Sequence, residues 1–454
     1  MISVGLLLAL LQAPGPARLI SAGGWGPEGH HASLERDVDL LRDILAPPVT
    51  ILFGRGDDLP TVQTATAVDP LHQRLALVFN RPDGLGVTYR PPRHLGDEGA
   101  RPRTFLRAVR AAAQGPEGAV IFGAGHGSPA RGDETAAALE LWGGPIDVPT
   151  LAQALDGVVG GGTLTFVLGQ CHSGAFADLV HRGGDPSAPL AEPVRCVLAA
   201  APAELEAAGC SPDASEGGFL RYIVRALNEG VDYDRDGRTG LDEALAFARI
   251  HDPTVDVPVR SSEVWLSGQE KVELAGADGA QLRADADPAE RAVLRSLGGD
   301  TPPAAMAARL DAQVKEGQRL DDLLTKADER FETARRAAED EVLARWPVLL
   351  HPFHPEARAL LGSGAPGFGR WWSQSEHARA LEAADAAREA LVDQRWMIER
   401  ALARTDRWLR VARSVVGRTR ARGSRLAVLN RLRACEARAV PLTRRGREAL
   451  QRPR

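Results

Sequence analysis

Cysteine is scarce, with 4 in 454 residues, and Met and Tyr number only 3 each. Cys171, Cys196, Cys210 and Cys435 are too few to build a disulfide-held fold, and their spacing fits no zinc site. Cys196 and Cys210 would be paired in an exported protein or stand as two separate buried thiols; the count leaves both open. No apolar run reaches the ~20 residues of a membrane-spanning helix. The closest is Val4–Leu11, followed by Gln-Ala-Pro-Gly-Pro-Ala17. It reads as the apolar part of a signal peptide over residues 1–17, although a positively charged start is missing. Export to the periplasm or outside the cell is therefore expected, with a cytoplasmic chain whose start packs on the core as the other reading. Lysine is nearly absent beside arginine, which reflects coding bias before function. The net charge of −5 selects no partner. The basic end, with 16 arginines against three acids in Ala401–Arg454, reads as a solvated helical face rather than a nucleic-acid surface.

The length calls for two domains. From Arg18 short apolar runs alternate with helical patterns, which predicts an α/β fold. Leu19–Ala22 and Val49–Phe53 read as parallel strands around a helix with Leu34, Val38, Leu41 and Leu45 on one face. Asp57–Arg103 reads as a long loop with a small insert. Thr104–Ala113 is a helix, Ala119–Ala124 a buried strand, and Ala136–Val148 a small hairpin. Thr163–Leu168 and Val194–Ala201 are further buried strands, Phe219–Leu227 a helix and Val255–Leu266 an edge strand. Residues 269–304 read as a linker rich in Ala, Asp, Gly and Pro. Residues 305–454, rich in Ala, Arg, Glu and Leu at 3–4 spacing, read as an all-helical domain: a hairpin or small bundle, with a coiled-coil dimer as the competing reading. Self-association or a protein partner is expected there.

Two strands end in reactive residues. Ala119–Ala124 leads into Gly125-His126-Gly127, and Thr163–Leu168 into Gly169-Gln170-Cys171-His172-Ser173-Gly174. In a parallel sheet the chemistry gathers beyond the carboxyl ends of the strands, which brings this His and this Cys to one edge. A thiol attacks an amide carbonyl, and a neighbouring imidazole takes its proton and passes it to the leaving amine. The Gly127 and Cys171 N–H groups are natural donors to the oxyanion.

These two blocks resemble the His-Gly and Cys-x-Ser-Gly blocks of the caspase/legumain-type cysteine peptidases (clan CD). The resemblance covers residues 18–268 and none of the helical region. It implies a three-layer α/β/α caspase-like sandwich with a mostly parallel sheet, and peptide hydrolysis by a dyad. His126 would be the general base and acid, Cys171 the nucleophile, and the Gly127 and Cys171 amides the oxyanion hole. The Cys block differs from the caspase Gln-Ala-Cys-Arg-Gly pattern and stands nearer the legumain form. Gly24–Ser33, the loop after the first strand, has no Arg or Lys to receive an acidic side chain. His30 or His31 would line the substrate pocket instead.

Residues 232–243, Asp-Tyr-Asp-Arg-Asp-Gly-Arg-Thr-Gly-Leu-Asp-Glu, match a twelve-residue EF-hand loop. Asp232, Asp234 and Asp236 fall at ligand positions, with the Arg238 carbonyl and a bidentate Glu243, a set suited to Ca²⁺. No second loop is present to pair with it. The expectation is thus a cysteine endopeptidase with a structural or regulatory calcium site. A catalytically silent, calcium-dependent interaction protein on the same fold is the alternative.

Overall fold

The computed structural model describes residues 15–79, 86–131, 136–159, 162–213, 215, 217–274, 276–351 and 354–443. Most of the expected signal peptide lies outside these residues; Ala17 itself opens the first strand. That strand, β1 (Ala17–Gly23), is followed by α1 (Ala32–Ile44), β2 (Thr50–Phe53), β3 (Val62–Thr66), α2 (Pro70–Val78), β4 (Gly86–Arg90) and α3 (Pro102–Ala113). Then come β5 (Ala119–Ser128), the hairpin β6 (Ala138–Leu141) and β7 (Gly144–Asp147), α4 (Val148–Asp156) and β8 (Leu164–Leu168). After β9 (Arg195–Ala199) the chain continues as α5 (Phe219–Glu229), α6 (Leu241–His251), β10 (Val259–Arg260) and α7 (Ser261–Gln269).

The main sheet runs β10-β9-β8-β5-β1-β2, and β6 joins it along the end of β5. Its strands are parallel except β10, which runs antiparallel to β9, and the added β6, which runs antiparallel to β5. Successive residues face opposite sides, so each strand feeds two cores. Ile20, Phe122, Val167 and Leu198 pack with α1, α5 and α6. Leu19, Ile121, Phe166 and Val197 pack with Phe105 and Val109 of α3 and Leu151 and Leu155 of α4. The N-terminal region is thus a mostly parallel α/β sandwich, followed by a largely helical part, as the sequence pattern predicts.

Several segments depart from the reading of the sequence. Asp57–Arg103 is not a plain loop: it carries β3, α2 and β4, and α2 starts where the Asp69 carboxylate accepts from the Leu71 and His72 N–H groups. Val255–Leu266 supplies only the two-residue β10 before it turns helical. There the Ser262 N–H and hydroxyl both donate to Glu436 at 2.6 Å. The expected linker 269–304 holds α8 (Gly279–Asp285) and α9 (Pro288–Gly298). Asp278 caps α8, and Asp287 with Glu290 forms a capping box on α9, whose Val293 and Leu294 are buried. The Asp and Pro residues that read as linker are helix starts.

The rest is helical: α10 (Pro303–Arg345), α11 (Pro355–Gly362), α12 (Phe368–Gln374), α13 (Glu376–Arg420) and α14 (Gly423–Glu436). The chain divides into two compact units. One comprises the described residues up to Thr64, Tyr89–Arg309 and those from Ala403 on; the other comprises the described part of Ala65–Thr88 with Leu310–Leu402. The expected boundary at 305 is therefore displaced, because the C-terminal residues belong with the sandwich. A disulfide ties Cys196 of β9 to Cys435 of α14, leaving Cys171 and Cys210 as free thiols. Of the two readings left open for Cys196 and Cys210 neither holds, since Cys196 is paired with Cys435 and Cys210 is free. Around Cys435 a buried ion network secures the end of the chain: Arg260 pairs with Glu263 at 3.1 Å and Glu290 at 2.8 Å, and Arg433 pairs with Glu290 at 2.8 Å.

In the second unit Trp346, Phe368, Trp371 and Trp372 pack together, mostly tilted or edge-on, with centroids 5.2–5.9 Å apart. Asp321 and Asp328 of α10 pair with Arg395 and Arg388 of α13 at 2.7 and 2.9 Å. Trp396 of α13 lies apart from this cluster and is 45% exposed.

Candidate active site

β5 and β8 are adjacent and parallel, and their last paired residues are Gly123 and Leu168. His126 lies three residues beyond the first and Cys171 three beyond the second. The register therefore places residues 126 and 171 at equivalent distances along the chain beyond the carboxyl edge. β5 does not end there, because β6 pairs with its extension and sets His126 opposite Glu140. His126 is thus held in a ladder, not on a loose loop. Gly127 meets the Cys171 main chain so closely that a Cβ on it would overlap the Cys171 carbonyl oxygen. Glycine is required at that position by close approach.

The His126 ring is fixed by three neighbours. Its Nε2 lies 2.9 Å from the Gly29 carbonyl oxygen, to which only a protonated nitrogen can donate. That bond assigns the proton to Nε2 and leaves the Nδ1 lone pair as the basic site. The Trp25 and His31 rings stand edge-on to it, with centroids 4.7 and 5.0 Å away. Burial, assisted by His31, pushes the His126 pKa down to about 4. At neutral pH the imidazole is uncharged and able to accept a proton.

Cys171 sits where the chain leaves β8. The next residue, His172, has a left-handed backbone with φ of 57°, an unusual conformation for a non-glycine residue and one that recurs at functional turns. The His172 N–H donates to the Leu205 carbonyl at 2.9 Å, and its Nδ1 bonds the Ala203 carbonyl at 2.9 Å. Ser173 and Gly174 complete the turn against Ala201, where a Cβ on Gly174 would crowd Pro202. The Cys171 Sγ accepts a hydrogen bond from the Ala207 N–H at 3.2 Å. Burial raises its pKa above the ordinary thiol range. The pair therefore rests as neutral thiol and neutral imidazole, not as a thiolate–imidazolium ion pair.

The two histidines of the first loop part ways. His31 is half-buried, bonds the Glu28 carbonyl at 3.0 Å and faces His126. His30 is 1% exposed, packed on Phe53 and Trp142. Neither of its ring nitrogens has a hydrogen-bond partner among the described residues, and burial lowers its pKa to about 4. It belongs to the packing beneath the loop. Sequence reasoning did not single out Trp25, the Gly29 carbonyl or the Ala207 peptide. The Gly-Pro turn at 26–27 marks a tight loop, but nothing in it tells which carbonyl will meet the strand beside it.

Comparison with known protein families and with curated proteins gives no match. The site must be argued from its own geometry.

The acidic loop lies between α5 and α6. One carboxylate oxygen each from Asp232, Asp234 and Asp236 falls within 4.8 Å of the others, a set of hard oxygen donors suited to a divalent cation. The Asp236 N–H donates to Asp232 at 3.1 Å and to Asp234 at 3.0 Å, and the Gly237 N–H donates to Asp232 at 3.0 Å. Glu243 differs from its expected role. Its Oε1 accepts from the Tyr233 and Asp234 N–H groups and its Oε2 from the Gly240 N–H at 2.9 Å. Both oxygens serve the backbone, and burial lifts the carboxyl pKa to about 7. The Arg238 N–H donates to Asp236 at 2.8 Å. The loop exit is paired after all, by the chain's own C-terminal segment: Gly240 bridges Ala439, and the Leu241 N–H donates to the Arg438 carbonyl at 3.1 Å.

Proposed function

We propose that the chain is a cysteine endopeptidase of the caspase/legumain type. The observation that carries this is the strand register, which sets His126 and Cys171 at equivalent positions past the Gly123–Leu168 pair. The Cys171 sulfur attacks the scissile carbonyl as its proton passes to His126 Nδ1, the nitrogen left free by the Gly29 bond. The Gly127 and Cys171 N–H groups receive the oxyanion. Collapse of the intermediate breaks the C–N bond, and His126 returns its proton to the leaving amine. Water, deprotonated by His126, then cleaves the thioester and restores the thiol. Starting from a neutral pair, thiol deprotonation is coupled to attack.

Asp232, Asp234 and Asp236 would hold Ca²⁺, with the Arg238 carbonyl completing the set; bound there, the ion supplies charge neutralisation that fixes the loop between α5 and α6. The Cys196–Cys435 bond supports an oxidising compartment and hence export. Among the described residues no helix is long and apolar enough to cross a membrane.

The test is hydrolysis of a peptide library by the wild-type chain and by Cys171→Ala and His126→Ala. Cleavage by the wild-type protein and its loss in both variants, with unchanged circular dichroism, is expected. Retained turnover in either variant would overturn the dyad.

A further inference from the structure

β5 ends in alternating glycines, Gly123, Gly125 and Gly127, which alternation sets on one face of the strand. Leu19 and Ile121 pack toward α3 and α4, so Ser21 and Gly123, two residues further along their strands, face that core too. Gln170, the residue before Cys171, lies along the glycine face. Its Cγ is 2.9 Å from the point where a Cβ on Gly127 would sit, and its Oε1 is 3.7 Å from the corresponding point on Gly123. The side chain therefore runs beneath β5 from Gly127 back to Gly123. Chain neighbours aside, the one other described heavy atom within 4 Å of the Gly123 point is Leu168 Cδ2. Ser21, the partner of Gly123 in the ladder with β1, stands one strand spacing away, about 4.8 Å, and a gap separates it from the amide. Ser21 is 2% exposed and Gln170 is 0%. Among the described residues the Ser21 hydroxyl and both polar atoms of the Gln170 amide lack a hydrogen-bond partner.

We propose that ordered water in this gap bridges the Ser21 hydroxyl and the Gln170 amide, and that Gln170, so held, is a positioning residue for the oxyanion hole. The positioning role rests on the peptidase reading; the water site does not. Buried polar atoms without partners are costly, and internal water is the usual means of satisfying them. A water here accepts from the Ser21 hydroxyl and donates to Gln170 Oε1, which fixes the amide. With its amide fixed, the Gln170 stem bears on Gly127, whose N–H is one proposed oxyanion donor. The other donor, the Cys171 N–H, belongs to the peptide bond that begins at Gln170. One side chain thus braces both donors. The caspase pattern Gln-Ala-Cys-Arg-Gly carries alanine at this position, too short for such a contact.

The experiment follows stability and turnover of the full chain in Ser21→Ala, Gln170→Met and the double variant. Each single change strips the water of one partner and should lower the urea midpoint. The double change removes both polar ends, and its midpoint should lie no lower than that of the weaker single variant. Losses that add would overturn the bridge. Where Gln170→Met does not fold, a crystal structure of the wild-type chain decides, and absence of water density between Ser21 Oγ and the Gln170 amide overturns it. Turnover is read on the peptide that the wild-type chain cleaves fastest. In Gln170→Met kcat should fall on the order of tenfold to a hundredfold with KM little changed, and Ser21→Ala should move in the same direction. Binding of the aldehyde of that peptide, whose adduct with Cys171 sets its oxygen in the oxyanion hole, should weaken by the same factor as kcat. Iodoacetamide alkylation of Cys171 forms no oxyanion and should keep its rate. A loss confined to KM, or an equal loss in alkylation, would leave Gln170 merely structural and overturn the positioning role. If the wild-type chain cleaves no peptide, the peptidase reading and the positioning role fall together, and the urea midpoints alone decide the water site.

Discussion

The Ala207 N–H donates to the Cys171 sulfur at 3.2 Å, and the Ala207 carbonyl lies 3.5 Å from the same atom. The main chain on both sides of the Ala207 Cα thus covers the residue proposed to attack substrate. Burial is the largest influence on this thiol and raises its pKa, with Glu206 and Asp256 acting in the same direction. The thiolate fraction in the resting chain should therefore be small. Iodoacetamide alkylation of Cys171 followed against pH should reach half its maximal rate above the ~8.5 of a free thiol. A midpoint below that value would show a pre-formed ion pair with His126, contrary to the geometry described.

The segment that carries Ala207 is anchored from below. Asp256 accepts from the Ala208 N–H at 2.6 Å and from the Phe219 N–H at 2.8 Å. Arg407 of α13 in turn donates to the carbonyls of Asp252 at 2.6 Å, Thr254 at 3.0 Å and Asp256 at 2.6 Å. Asp256→Asn sets an amide N–H against one of two backbone donors, which costs about 1–3 kcal/mol for a buried unsatisfied group. Urea unfolding should show that loss. Cys171 alkylation should be faster in the variant if Asp256 positions the covering peptide; an unchanged rate despite lower stability would make its role merely structural.

His30 gives the fold a pH dependence of known sign. Its pKa falls from 6.5 to about 4 in the folded chain, so the neutral ring is favoured by folding. Its contribution is fully present above the unfolded value of about 6.5 and is lost as pH falls through about 4, amounting to about 3 kcal/mol over that interval. Urea unfolding of the wild-type chain and of His30→Leu at pH 7 and pH 4 measures it. The wild-type chain should lose more stability on acidification than the variant, and equal losses would remove His30 from the account.

How far the site could be read from sequence follows from the range of the interactions involved. The apolar run ending at Gly169 shows where β8 stops, and Cys171 stands next to that stop, whereas β5 runs on past Gly125 to Ser128 and carries His126 within it. The Gly29–His126 and Ala207–Cys171 bonds were not legible, since each joins a backbone group to a side chain far along the chain, and a peptide group carries no residue-specific signal. The Cys196–Cys435 pairing escaped for a related reason: α14 returns across 239 residues to lie beside β9, and nothing local to either cysteine announces it. The Asp-rich stretch at 278–290 misled in the opposite way, because helix caps and linkers share their composition.

The acidic loop is tested by calcium alone. A cation held by Asp232, Asp234 and Asp236 binds the folded chain and not the unfolded one, and a hundredfold excess over Kd stabilises by about 2.7 kcal/mol. Millimolar calcium should raise the melting temperature of the wild-type chain, and Asp232→Asn with Asp234→Asn should abolish the rise. Glu243→Gln should instead lower stability without calcium, because both Glu243 oxygens already accept backbone N–H groups. No shift in the wild-type protein would dismiss the calcium site and leave the loop as a hydrogen-bonded turn.

Cys196 and Cys435 close a loop of 239 residues across the sandwich. Constraining so long a loop lowers the entropy of the unfolded chain and, in the chain-entropy account, stabilises the fold by about 5.5 kcal/mol. Its loss should free α14 first, since Cys435 faces β8 and β9 through Thr165 and Cys196. Dithiothreitol should lower the urea midpoint of the wild-type protein and leave that of the Cys196→Ala, Cys435→Ala double variant unchanged. Alkylation of the denatured chain should add two carbamidomethyl groups without reductant, at Cys171 and Cys210, and four with it. Four groups without reductant in protein purified from an oxidising compartment would show that the bond does not form, and the argument for export would lose its structural support.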